Sequence, residues 1–237
     1  MIRTLTTAAA PALLTCALLA CALPAAAQDA PPASGSWSFA FGAATDNRSK
    51  DVSKSEGEPF VWGEAEWESA SGLFYAGPSF ETVKSSGSEL EVALNTGVRP
   101  EFAGFDLDLN VKHKWLVDAD PGADDDSWEF TADVKRSIGP ASGRVRLQYS
   151  PDSIGASEGW TWVEAQVGWD FTDKLYASAA VGRREQETSV DYTGYNVGLN
   201  YALTRNLEAE LRWYGTDAEV PGEQYADSLV AGLSIAF

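Results

Sequence analysis

Length, composition and charge already exclude several classes of protein. The chain has 237 residues, with 35 Asp and Glu against 17 Lys and Arg, and its formal net charge is −18 at pH 7. Such an acidic chain has little charge with which to neutralise phosphates, which argues against a nucleic acid partner. Two cysteines and one histidine exclude a disulfide-stapled scaffold, a cysteine-based zinc site and most histidine-dependent catalysis. The nine tryptophans argue against a disordered acidic chain.

The first 27 residues have the composition of a secretory signal peptide. Arg3 supplies a positive charge, an Ala- and Leu-rich stretch follows, and three alanines precede Gln28 as a small-residue cleavage site. A lipobox at residues 18–21 is the alternative, and it would make Cys21 a lipidated N-terminus. We therefore expect the chain to be exported.

The organisation that follows from this leader has three parts. We expect a signal peptide at residues 1–27, a short Pro- and Ala-rich tail at 28–36, and one β-barrel at 37–237.

From Trp37 onward, apolar and polar residues alternate with a period of two, which is the pattern of β-strands with one apolar face. In the segment 103–117, for example, Leu107 and Leu109 share one face, and Asp106 and Asp108 share the other. Two segments alternate less cleanly, 58–69 and 72–83. The pattern predicts twelve strands, at 37–46, 58–69, 72–83, 88–99, 103–117, 127–138, 142–150, 159–171, 174–184, 189–203, 206–216 and 225–237.

The length of these strands favours a membrane barrel over a soluble sandwich. Sandwich strands usually have about 5–6 residues, whereas strands that cross a bilayer need about 9–11. Longer and shorter connections also largely alternate along the chain, as they do in outer-membrane barrels. We predict an all-β fold, a transmembrane antiparallel up-and-down β-barrel of about 12 strands in the bacterial outer membrane. Its partners would be outer-membrane lipid and, through the C-terminal Phe237, the barrel assembly machinery; a homo-oligomer could form through strand 72–83.

The face opposite the apolar stripe carries the charges that would line the interior. It holds twelve acidic and six basic residues, a net charge of −6. A ring of carboxylates favours cations over anions, so we expect a weakly cation-selective diffusion pore for small ions or solutes. The alternative is a barrel plugged by its own ion pairs, acting through outer loops at 47–57 and 118–126. The predicted pore-lining residues are Glu64, Glu66, Glu68, Glu89, Glu91, Asp106, Asp108, Lys112, Lys114, Glu129, Asp133, Lys135, Arg144, Arg146, Glu164, Glu208, Glu210 and Arg212.

Other chemistry is weakly indicated. An acidic stretch has partial calcium-loop spacing, but Ala123 replaces the glycine of the sharp turn, so a solvated loop is the favoured interpretation. His113 falls on the apolar face, and no serine shares a local motif with it. We therefore expect no cofactor, no resident metal and no enzymatic activity. The weak metal candidates are Asp118, Asp120, Asp124, Asp126 and Glu129.

Two segments of the chain, at 45–77 and at 149–152, carry motifs of a known family. The matching residues of the first segment are Thr45, Asp46, Arg48, Val52, Ser53, Ser55, Pro59, Ser71, Gly72, Phe74, Tyr75, Ala76 and Gly77. The second segment is Tyr149-Ser150-Pro151-Asp152, which matches a Y-S-P-D motif between middle strands. In these residues the chain resembles the TorF family of proteobacterial porins, and it departs from that family at Ser49-Lys50-Asp51 and at Pro78-Ser79-Phe80. This resemblance implies an outer-membrane β-barrel classed as a porin, and it implies no defined substrate.

Overall fold

The structure is a computed structural model that describes residues 34–154 and 158–237. The predicted signal peptide lies outside the described residues. The strands are β1 (Ser36–Ala44), β2 (Arg48–Ser49), β3 (Val52–Ser53), β4 (Phe60–Glu68), β5 (Phe74–Ser85), β6 (Ser88–Val98), β7 (Glu101–Phe102), β8 (Phe105–Val117), β9 (Asp126–Ile138), β10 (Ala141–Ser150), β11 (Trp160–Asp170), β12 (Leu175–Gln186), β13 (Tyr192–Ala202), β14 (Leu207–Thr216) and β15 (Ser228–Ala236).

The long strands close into a barrel. Each one pairs antiparallel with its neighbours in the chain, β6 pairs with β8 past the short β7, and β1 closes the sheet against β15 with Phe41 opposite Ile235. Apart from β2, β3 and β7, the described residues form twelve long strands, so the predicted strand number and fold class are confirmed. Closure pairs the two end strands of the barrel sheet, which a bilayer requires because its core offers no water to an orphaned backbone group.

The two faces of the barrel are inverted relative to a soluble protein. On β10, Val145, Leu147 and Tyr149 are about half exposed, while Arg144 and Arg146 are buried in the interior. A one-residue slip would place both arginines on the outer surface, at a cost of about 2–4 kcal/mol each near the bilayer midplane. In the part of the chain that the structure describes, no helix is long and apolar enough to cross a membrane.

The two ends of the barrel differ in their connections. One end, here called the loop end, holds the connections 45–59, 118–125 and 217–227. The other, the turn end, holds shorter ones such as 139–140 and 203–206. In outer-membrane barrels the long loops are extracellular and the tight turns periplasmic.

The two strands with a less regular sequence pattern are irregular for structural reasons. On β4, Phe60 and Trp62 point inward together with the acidic residues, and Trp62 lies against Gly42, where a Cβ would come within 2.5 Å of the indole. On β5, Pro78 lacks an N–H, and the β4–β5 ladder stops at Glu64 opposite Ser79 and resumes only at Trp67 opposite Ala76.

Candidate channel interior

The connection between β1 and β4 folds into the barrel. Its two short strands, β2 and β3, form a hairpin with Lys50 and Asp51 at the tip. Lys50 is 6% exposed and Asp51 is 3% exposed. Residues 47–55 therefore do not form the outer loop that the alternative interpretation expects at 47–57, whereas Glu56 and Gly57 are exposed. A polar segment enters the lumen here because the lumen is itself polar and supplies a hydrogen-bonding partner for each tip residue.

The tip of this inward hairpin (residues 48–53) contacts the opposite wall. Lys50 Nζ lies 3.1 Å from Glu129 Oε2 and 4.2 Å from the centre of a Trp160 ring. The Tyr192 hydroxyl donates to the Lys50 carbonyl at 2.8 Å, and Asn196 Nδ2 donates to Asp51 Oδ1 at 2.7 Å. These partners lie on β9, β11 and β13, so the hairpin spans the lumen.

The hairpin turn is strained, and its contacts compensate for the strain. Lys50 has a φ of 53° and Asp51 a φ of 65°, in the left-handed region that costs a non-glycine residue roughly 1–2 kcal/mol. Gly194 on β13 supplies the space for Asp51, since a Cβ at Gly194 would lie 2.5 Å from Asp51 Oδ2. Strained turns persist where the surroundings over-determine them, as in the lumen of this barrel.

The base of the hairpin is tied to the loop end. The Arg48 guanidinium binds the Asp46 carboxylate and donates to the Ala226 carbonyl at 2.8 Å. Lys54, just after β3, binds Glu81 and Glu91 on the neighbouring strands β5 and β6.

Most of the predicted pore-lining residues point inward and are buried in the interior. Glu89 and Asp106 are different, because they are exposed near the loop end and near the turn end respectively. Lys114, Lys135 and Glu210 are intermediate in exposure, as is Glu68 at the end of β4. The buried members are Glu64, Glu66, Glu91, Asp108, Lys112, Glu129, Asp133, Arg144, Arg146, Glu164, Glu208 and Arg212.

Several interior bases were missed by the sequence analysis. Arg99 follows β6 at the turn end, yet its guanidinium donates twice to Glu66, at 2.6 and 2.7 Å, and stacks 3.7 Å from the centre of the Tyr75 ring. A residue in a turn gives no facing signal, so the sequence pattern could not place it. The other missed bases are Arg48, Lys50 and Lys54 around the hairpin and Arg184 on β12, and the missed acids are Asp46, Asp51 and Glu81.

These additions change the electrostatics of the interior. With five more bases, three more acids and two acids at the rims, the lumen is much closer to charge balance than −6. The charges are also segregated. The charged interior side chains of β4–β6, here called the acidic wall, are all acidic. Strands β8–β10, here called the basic wall, contribute five of the bases together with the buried acids Asp108, Glu129 and Asp133.

Ion pairs hold the basic wall in place. Arg146 donates two hydrogen bonds to the Asp133 carboxylate, from Nε at 2.8 Å and from Nη2 at 2.7 Å. Arg144 forms a salt bridge with Glu164 on β11. Both Asp133 and Arg146 are almost inaccessible to solvent. A bidentate geometry of this kind fixes the position of the guanidinium as well as its charge.

The weak metal candidates are not brought together. Glu129 points into the lumen and binds Lys50, while Asp126 accepts a 2.7 Å hydrogen bond from His113 on the outer face. Among the described residues no group of three or more potential ligands could hold a metal ion. His113 lies between Trp115 and Trp128, with ring centres 4.0 and 4.1 Å away, as part of an aromatic patch near the loop end.

Comparison with known proteins places this geometry in context. The match to the "KdgM porin" covers 84% of this chain and 99% of that protein, with a TM-score of 0.59 and 8% sequence identity. The match to the "NanC porin" covers 85% of this chain and 99% of that protein, with a TM-score of 0.55 and 8% identity. The match to an outer membrane channel from Pseudomonas putida F1 covers 90% of this chain and 100% of that protein, with a TM-score of 0.56 and 10% identity. At identities this low, the matches show a shared fold alone. No curated protein matches the sequence.

The apolar exterior and the porin fold together support the predicted location in the bacterial outer membrane. The name TorF stays a prediction, because the family match carries a different description. Residues 29–232 match a family described as a bacterial protein of unknown function, Gcw_chp. The chain therefore belongs to the Gcw_chp family, and it has the fold of outer-membrane porins.

Proposed function

We propose that the protein is an outer-membrane channel through which small hydrophilic solutes diffuse passively. One observation carries the proposal: a closed barrel with an apolar exterior encloses a lumen lined by charges on nine of its twelve long strands and on the connections 45–59 and 99–104. A purely structural barrel could fill its lumen with apolar side chains, which avoids the desolvation of charge. The KdgM porin, which shares the fold, has also been solved in complex with disordered oligogalacturonate.

The weak cation preference belongs to the same proposal. The support for it is the acidic wall formed by β4–β6 and the exposed carboxylates of Glu89 and Asp106 near the two ends. The added interior bases reduce the expected preference, because they bring the lumen close to charge balance. The proposal also includes the path to the membrane: the leader at 1–27 directs export, and the assembly machinery recognises Phe237. In the membrane, the barrel contacts outer-membrane lipid and forms a homo-oligomer through the strand at 72–83.

A plugged barrel is the second candidate function, and the inward hairpin is the observation that favours it. The hairpin crosses the loop-end half of the lumen and is hydrogen-bonded at its tip and at its base. A barrel held shut in this way would act through its remaining loops, among them 118–125.

Single-channel recording of the refolded chain from Gln28 in a planar bilayer distinguishes the two functions. Discrete current steps are expected for the channel, and under a salt gradient the reversal potential should favour cations weakly. The double variant Glu89→Gln, Asp106→Asn should reduce that preference, while Glu185→Gln, exposed on the outer face of β12, should leave it unchanged. Silence from a chain shown to be folded would overturn the channel and favour the plugged barrel.

A further inference from the structure

Two positive charges face each other in the turn-end half of the lumen. Lys135 on β9 is the direct cross-strand partner of Arg144 on β10, and both side chains point inward. Like charges directly opposite one another destabilise a sheet. Arg146 follows two residues later on the same face, so three cations lie side by side.

The neighbouring carboxylates pair with the two arginines of this cluster and leave Lys135 without an ion-pair partner among the described residues. Asp133 forms a salt bridge with Arg146, and Glu164 forms one with Nη2 of Arg144. On β8, Lys135 faces Asp106, which is exposed toward the turn end, and the buried Asp108 follows two residues later on the same face. Within the described residues, no carboxylate oxygen lies within 4.0 Å of Lys135 Nζ.

The guanidinium of Arg144 provides an independent second observation. Arg144 is 9% exposed, and its buried Nε has no hydrogen-bond partner among the described residues. A buried charged donor without an acceptor is costly, and native proteins retain few of them. Gln166, the cross-strand partner of Arg144 on β11, adds an amide donor on the same face.

We infer that Lys135 and Arg144 form a binding site for an oxyanion on the lumen wall near the turn end. The ammonium of Lys135 and the free Nε of Arg144 are the donors, and a carboxylate or phosphate group supplies the missing acceptors. The inference rests on the proposed function and deepens it, because it names small organic acids or phosphorylated solutes as the class that this wall recognises.

Equilibrium binding tests the site without requiring an open pore. The refolded chain from Gln28, in a non-ionic detergent, is titrated with malonate and followed by saturation-transfer NMR of the malonate methylene protons. Binding of malonate, and none of the neutral analogue malonamide, is the expected result. Inorganic phosphate is then added as a competitor. Displacement of malonate would show a general oxyanion site, and failure to displace it would restrict the site to carboxylates.

The variants at Lys135 and Arg136 test whether the inner face of β9 contributes to the site. Lys135→Gln should weaken malonate binding roughly tenfold, the loss expected for one charge-assisted hydrogen bond. Lys135→Arg should keep it. Arg136→Gln is the matched control, because Arg136 is the next residue on β9, is exposed and faces outward, where it lies 4.9 Å from the centre of the Phe105 ring.

Three results would overturn the inference: no malonate signal, equal binding of malonamide, or an equal loss in Lys135→Gln and Arg136→Gln. Each variant is first shown to be folded by its heat-dependent mobility in detergent gels. Because the assay reads binding and not current, a silent barrel that still binds malonate would reject the channel and leave the site standing.

Discussion

Gly194→Ala is expected to release the inward hairpin from the lumen wall. The new methyl carbon would lie 2.5 Å from Asp51 Oδ2 and 2.7 Å from Asp51 Cβ, well inside ordinary contact distance. Overpacking of this kind costs about 1–3 kcal/mol, and the turn is already strained at Lys50 and Asp51. A cost of that size moves the equilibrium from docked to released hairpin by roughly 5- to 150-fold.

Thiol labelling measures that equilibrium directly. The chain from Gln28 has no cysteine, so Val52→Cys introduces a single thiol at a position that is 4% exposed while the hairpin is docked. The labelling rate should rise by the same factor in Gly194→Ala. Gly143→Ala is the control, because a Cβ there meets no atom closer than 3.9 Å. An unchanged rate in folded Gly194→Ala would refute the docking geometry.

Three further predictions concern the same interior. Lys50→Met should speed labelling of Val52→Cys roughly tenfold or more, because it removes a charge-assisted hydrogen bond to Glu129; an unchanged rate would mean that the tip is held by other contacts. Burial raises the pKa of Asp51, so the docked hairpin takes up a proton more readily than the released one. Protection of the Val52→Cys thiol from labelling should therefore be strongest at acid pH, and it should decline as the pH rises through the raised pKa. With labelling rates corrected for thiolate content, Asp51→Asn should abolish that dependence, and a persistent slope would assign it to another group. Arg146→Ala should lower the free energy of unfolding by about 3–5 kcal/mol in urea titrations, because Asp133 is left buried without its partner; the exposed Lys174→Ala should change it by less than about 0.5 kcal/mol, and equal effects would contradict the paired geometry.

The strand pattern of this barrel could be predicted from the sequence, and the path of its first loop could not. Alternation with a period of two indicates both the strand and its facing, and it places Asp108, Arg146 and Arg212 on the face that the structure buries. The hairpin carries no such signal. Lys50 and Asp51 are polar residues in a polar loop, and the turn lacks the Asn-Gly or Asp-Gly pair that marks a two-residue hairpin.

The pair formed by Lys135 and Arg144 shows a second limit of the sequence pattern. Periodicity tells which face a side chain occupies, but not which residue of the next strand lies opposite. The register places Lys135 beside Arg144 and Asp133 beside Arg146. A shift of two residues would place Asp133 beside Arg144 and Lys135 beside Ser142 without moving any side chain to the other face. The electrostatic character of the lumen wall therefore depends on register, which only the structure supplies.

The reach of the inward hairpin has a consequence for the order in which the protein assembles. Lys50 contacts Tyr192 across 142 positions of the chain, and Asp51 contacts Asn196 across 145. Contacts between such distant segments form late, because the loop-closure entropy is lost before the contact gains anything. Tyr192 and Asn196 lie on β13, so the hairpin has no complete binding surface until nearly the whole sheet is in place. Docking of the hairpin is thus expected to mark the completion of the barrel, and its protection from labelling would report how far assembly has advanced.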